Sequence, residues 1–215
     1  MILRQPNVDF CRQWSTQREK NRTTQRTSRV QNKRNINILM HGHVFAHVLE
    51  AAKAIRDLLC MKDPPIQQVV DVNGLLPRMV EFLSYDDREL QLEIAWSLSN
   101  IAAGSTAHVD AVVQAKAIQP LIDLLSSPDH MVARQALWAL GNIAAESSKH
   151  RAHVLSNGIV KSVTAMCERE LEQKNPNVDV LKTIAWVISN LLRYKPMPAF
   201  DEVLTLAIST LIMSM

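Results

Sequence analysis

Glycine is scarce, at five residues in 215, and aromatic residues make up only 5% of the chain. A sheet protein of this size needs more of both for its tight turns and pleated packing, so the expectation is an all-α protein. The three cysteines, Cys11, Cys60 and Cys167, are odd in number, far apart and match no zinc spacing, which argues against a disulfide framework or metal knuckle and suits a reducing compartment. No apolar run approaches the roughly 18 residues of a membrane span, and the opening Met1-Ile2-Leu3-Arg4-Gln5-Pro6 lacks a signal-peptide core, so a soluble, non-secreted chain is expected. A phosphate loop, a nucleophile elbow and paired carboxylates beside a base are all missing, which points away from an enzyme and from any cofactor. What is abundant is apolar material, at 47% of residues, enough to bury a core.

The net charge of +3 conceals an asymmetry. Residues 1–35 hold nine Lys/Arg against Asp9 and Glu19, a net +7; the remaining 15 basic and 19 acidic residues leave a body at −4. A basic tail on an acidic body suits either an acidic protein surface or nucleic-acid phosphates, and the tail lacks apolar periodicity, so 1–35 is expected to be disordered alone and 36–215 to form one domain. Few aromatics interleave with the tail's charges, Trp14 among them, which makes nucleic acid the weaker reading.

From residue 47 the apolar spacing turns helical. Residues 47–61 read as a helix stopped by Pro64-Pro65. Two shorter helices and a longer one then recur three times: 66–72, 75–83 and 88–103; 107–115, 117–125 and 130–145; 149–155, 159–169 and 178–194. Gly74 and Gly158 suit left-handed caps between the first two helices of a set, and Lys116 stands midway between them where a glycine is expected. Residues 170–177 read as a polar loop that absorbs six extra residues, with Glu168, Glu170 and Glu172 solvated, and 198–215 as a further helix. His41, His43 and His47 form a cluster with no clearly placed fourth ligand, so no metal site is expected.

The longer helices carry the organising motif. Glu93-Ile94-Ala95-Trp96-Ser97-Leu98-Ser99-Asn100 contains a Trp-x-x-x-Asn core that returns at Trp138/Asn142 and Trp186/Asn190, after 42 and 48 residues. Residues four apart share a helix face, so each copy sets an indole beside a carboxamide. A period in the forties built from helices is the sequence sign of an armadillo or HEAT solenoid. With long helices packed side by side at about 8–10 Å, the pairs become rungs along one groove. Same-side residues of an extended peptide recur near 7 Å, so indole slots can take Lys/Arg stems while asparagines hold the peptide main chain. Glu93, Asp110 and Glu146 are placed to supply the negative ends of such slots. One copy alone would read as a core Trp and a helix-end Asn; three in register favour a binding ladder.

These residues resemble the importin-α (karyopherin-α) family of armadillo nuclear-import adaptors. Ala136-Leu137-Trp138-Ala139-Leu140-Gly141-Asn142-Ile143-Ala144 is similar to that family's third-repeat motif. Pro64-Pro65-Ile66 with Gly74-Leu75-Leu76-Pro77 resembles the entry to its second repeat, and Trp186 to Arg193 followed by Lys195-Pro196 and Phe200 resembles the fourth repeat and its exit. The resemblance covers about residues 45 to 210. It implies a right-handed superhelical armadillo solenoid of about three complete repeats with partial units at each end, shortened at the C-terminus relative to a family array of about ten.

By that resemblance Trp96, Asn100, Trp138, Asn142, Trp186 and Asn190 line the major site for nuclear localisation signals. Gly104 and Glu146 frame its lysine pocket, where the family more often has Asp at Glu146 and Thr at Val109. Gln135 adds a polar contact and Arg193 closes one end. Lys33 and Arg34 stand where the importin-β-binding segment has its basic cluster. The resemblance therefore implies an adaptor that carries basic cargo peptides between cytoplasm and nucleus, against the alternative of an armadillo scaffold or regulatory fragment that holds a protein partner without transporting cargo.

Overall fold

Each long helix begins where an Asp or Asn side chain closes its open end. In the computed structural model, which describes residues 25–193, Asp87 accepts from Leu90 N at 2.8 Å, Asp129 from Met131 N at 2.8 Å, and Asn177 from Asp179 N at 3.0 Å. These caps satisfy amides that have no partner within the first helical turn. The helices they open are α5 (Arg88–Ala102), α8 (His130–Glu146) and α11 (Val178–Leu191). Their shorter companions are α3 (Ile66–Val70) with α4 (Leu75–Phe82), α6 (Thr106–Gln114) with α7 (Ile118–Asp123), and α9 (Ser148–Ser156) with α10 (Ile159–Leu171). Two helices precede them, α1 (Gln25–His41) and α2 (Phe45–Leu59). Every described element is helical, and the three sets fall within a few residues of the sequence reading.

The turn between the first two helices of each set follows the expected chemistry. Gly74 and Gly158 sit at φ 80° and 83°, and Lys116 is held at φ 63° in the equivalent place. That region brings a side chain's Cβ against the following carbonyl and suits glycine.

Helices α2, α5, α8 and α11 pack against one another in that order, forming one layer, with the short helices behind them. Their buried faces make a continuous apolar core running from Leu39 to Leu191. Ion pairing reinforces the first junction. Arg56 of α2 donates from Nε to Glu93 Oε2 of α5 at 2.7 Å and from Nη2 to Oε1 at 3.3 Å, both side chains being buried.

Three features depart from the expectations. The boundary at residue 35 falls inside α1, which packs on α2 and α4 through buried Leu39 and half-buried Ile36, Ile38 and Met40. Glu170 is 3% exposed and sits within α10, where it accepts from Asn177 N and lies 3.0 Å from His130 Nδ1. It is thus a tie between α10 and the starts of α8 and α11, not a solvated loop residue. Cys60 is disulfide-bonded, a bond that the cysteine count had argued against, while Cys167 is a buried thiol. The helix expected over 198–215 lies outside the described residues, as does the tail up to residue 24.

Candidate functional site

The i, i+4 spacing places each Trp/Asn pair on one face of its long helix, and the stacking of α5, α8 and α11 brings the three pairs into one file. The rungs are not equivalent. Trp96 is 1% exposed, whereas Trp138 and Trp186 are half-buried. The Trp138 and Trp186 rings touch, with centroids 5.2 Å apart and planes tilted by 33°. A contact of that kind adds about 0.5–1.5 kcal/mol beyond area burial. Gly141 permits it: a Cβ there would lie 2.3 Å from Trp186 Cζ3. The expectation of well-separated rungs with an open slot between them is therefore corrected at this pair, because a bare glycine lets α11 settle the third indole onto the second.

The asparagines are all buried, and each is tied to the repeat before it. Asn142 Nδ2 donates to Ser99 O at 3.1 Å, and Asn190 Nδ2 to Gly141 O at 3.3 Å. Asn100 Nδ2 approaches Cys60 Sγ at 3.3 Å. Ser99 O already accepts the helical bond from Ala103 N at 3.0 Å, so Asn142 uses the carbonyl's second lone pair. The acceptor is in both backbone cases the residue just ahead of the previous motif's Asn, which makes the amides an inter-repeat spine.

The charged candidates are also engaged. The Arg56 guanidinium lies 4.8 Å from the Trp96 ring centroid while paired to Glu93. Arg134 lies 6.0 Å from that of Trp138. Glu146, half-buried at the end of α8, accepts from Thr106 Oγ1 beside Gly104. Asp110 Oδ1 is 2.9 Å from His150 Nε2. Gln135 is fully buried in α8, and Arg193 is exposed just after α11. Among the described residues no group of three His, Cys, Asp or Glu is arranged to hold a metal.

Sequence reasoning missed both arginines, and a second file of contacts with them. His108 Nδ1 accepts from Ser105 N at 3.0 Å while Nε2 reaches Gln67 Oε1 at 3.0 Å. His150 Nδ1 lies 2.8 Å from Ser147 Oγ and its Nε2 faces Asp110. A Ser-x-x-His spaced by 42 residues, at Ser105/His108 and Ser147/His150, was the available signal.

This geometry can be set beside known proteins. The Armadillo/beta-catenin-like repeat matches residues 62–103 and 105–145, which take in α3 to α5 and α6 to nearly all of α8. Importin subunit alpha-3 of Arabidopsis thaliana is 40% identical over 156 residues, 72% of this chain and 28% of the relative. Importin subunit alpha-1 of Schizosaccharomyces pombe is 41% identical over 166 residues, 77% of this chain and 30% of the relative. The chain belongs to the importin-α family. It spans under a third of the length of these importin-α relatives. A designed armadillo repeat protein, solved in complex with a (KR)4 peptide, superposes with a TM-score of 0.64 at 22% identity over 83% of this chain and 80% of its own; this likeness speaks for the fold.

Proposed function

We propose that this importin-α relative is a nuclear-import adaptor whose Trp/Asn face holds extended Lys/Arg-rich peptides of the nuclear-localisation-signal type. The single observation that supports the reading is the in-register Trp-x-x-x-Asn ladder on α5, α8 and α11 of a chain in this family. Half-exposed Trp138 and Trp186 offer the aromatic surface for cationic side chains, worth about 0.5–2 kcal/mol per contact. Glu146 beside Gly104 supplies negative charge at one edge, Gln135 backs the middle rung from the core, and exposed Arg193 bounds the other end. Trp96 and the three asparagines are the frame that keeps the file in register. Exposed Lys33 and Arg34 on α1 are placed for an acidic partner such as importin-β, and the chain would move between cytoplasm and nucleus.

Calorimetry with a Lys-Lys-Lys-Arg-Lys peptide tests the reading. The Trp138→Ala/Trp186→Ala variant should bind at least about tenfold more weakly while keeping its helical circular dichroism. Equal affinity for both proteins would overturn the groove.

One observation favours a second reading, a scaffold that holds a protein partner without carrying cargo: the asparagine amides are spent between repeats, and arginines of the chain itself lie over two indoles. A pull-down with importin-β separates the two, because an adaptor should retain it and such a scaffold should not.

A further inference from the structure

The file of rungs has a member that carries no indole. Arg56 near the end of α2 and Cys60 just past it are four residues apart, and they stand forty residues ahead of Trp96 and Asn100. Helix α2 packs on α5 as α5 packs on α8, so Arg56 and Cys60 hold on α2 the register that Trp and Asn hold on the later helices. The contacts agree. Asn100 Nδ2 reaches Cys60 Sγ at 3.3 Å, and the Arg56 guanidinium lies 4.8 Å from the Trp96 ring centroid. Where Trp186 brings an indole to its neighbour at 5.2 Å, Arg56 brings a guanidinium.

The chain's own carboxylates hold that cation in place. Nε donates to Glu93 Oε2 at 2.7 Å and Nη2 to Glu93 Oε1 at 3.3 Å, while Nη1 pairs with half-buried Asp57. A guanidinium presents five donors in one plane, so an aromatic face with carboxylates around the fork recognises arginine better than it recognises the compact ammonium of lysine. Trp96, Glu93 and Asp57 together make such a site. Arg56, Glu93 and Trp96 are buried, whereas Trp138 and Trp186 are half-buried.

Resting on the reading of this face as a peptide groove, we propose that the first rung is a guanidinium site and that Arg56 is its resident occupant. The ligand class is an arginine side chain, supplied from within the chain. A basic peptide is thereby held to the Trp138 and Trp186 rungs, and its run of charges stops at Trp96 because the cation's place there is already filled.

Removing the occupant tests this. Arg56→Ala deletes Cγ, Cδ and the guanidinium, which together amount to ethylguanidinium. The variant should melt several degrees below wild type, since Glu93 loses its buried ion pair. Ethylguanidinium chloride at about 10 mM should restore at least half of that loss, while ethylammonium chloride at the same ionic strength should not, and wild type should respond to neither. A variant that is unfolded without additive is read instead by recovery of its helical circular dichroism in the same two salts. If ethylguanidinium acts no better than ethylammonium, the site is wrong although the groove stands.

Peptides supply the second arm. Lys-Lys-Lys-Arg-Lys is lengthened by one Arg or one Lys at either end, and each product is titrated into wild type and Arg56→Ala. In wild type, the Arg and Lys extensions should bind alike, within twofold. In Arg56→Ala, an Arg at one end should bind about tenfold tighter than a Lys at that end, as its guanidinium takes the place over Trp96. Equal binding of the two in Arg56→Ala would overturn the claim that Arg56 stops the run. If no peptide binds wild type, the groove reading falls, and the ethylguanidinium comparison, which uses no peptide, still decides the guanidinium site.

Discussion

Lys116 carries a φ of 63° at the turn where the sets before and after use glycine. For a residue with a Cβ the left-handed region costs about 1–2 kcal/mol, and glycine returns part of that through the entropy of the unfolded chain. Lys116→Gly should thus raise the free energy of unfolding by about 0.5–1 kcal/mol, read as a higher urea midpoint with unchanged slope. A lower midpoint would mean that contacts of the Lys116 side chain outweigh the strain. The position was visible in the sequence as a gap in a glycine period. Glu170 was not, because it looked like one of three solvated carboxylates until the fold folded it against His130 and the start of α11.

Among the elements, the long helices α5, α8 and α11 are held in register by more than their apolar faces. The amides of Asn142 and Asn190 each reach a backbone carbonyl of the preceding long helix. Asn142→Ala removes one such tie; Ser99 O keeps its helical bond, so the cost is that of a net buried hydrogen bond and a small void, about 1–2 kcal/mol. Thermal unfolding would measure this, and a change under about 0.3 kcal/mol would deny the spine any weight. Because Gly141 is both the acceptor for Asn190 and the seat of the Trp186 ring, the third rung depends on the second at two atoms.

For the whole molecule, stacked repeats contact only their neighbours, and stability is close to a sum of repeat and interface terms. A peptide laid across α5, α8 and α11 bridges two of those interfaces, so it should stabilise the array beyond any one repeat. At a hundredfold excess over its dissociation constant, a Lys/Arg-rich peptide should add about 2.7 kcal/mol and raise the melting temperature by several degrees. The shift should shrink as salt rises, since the attraction is between partly exposed charges. A salt-independent shift would point to apolar docking, and an absent shift to a face that holds no such peptide.

The sequence by itself determined the all-helical class, the period of three helices, the left-handed turns and the file of Trp-x-x-x-Asn pairs, because each is a matter of local spacing. Helical periodicity, Pro64-Pro65 and the glycines act within a few residues, and so they can be read without knowing what lies opposite. Only the tertiary structure decided what those side chains face. It set Trp186 against Trp138 over Gly141, turned the asparagines to the neighbouring repeat, and laid Arg56 and Arg134 across the indoles. Apart from Arg134 over Trp138, four residues along one helix, those are contacts between residues some 40 to 50 positions apart, fixed by how closely two helices approach, and helix separation is a product of packing that no single helix encodes.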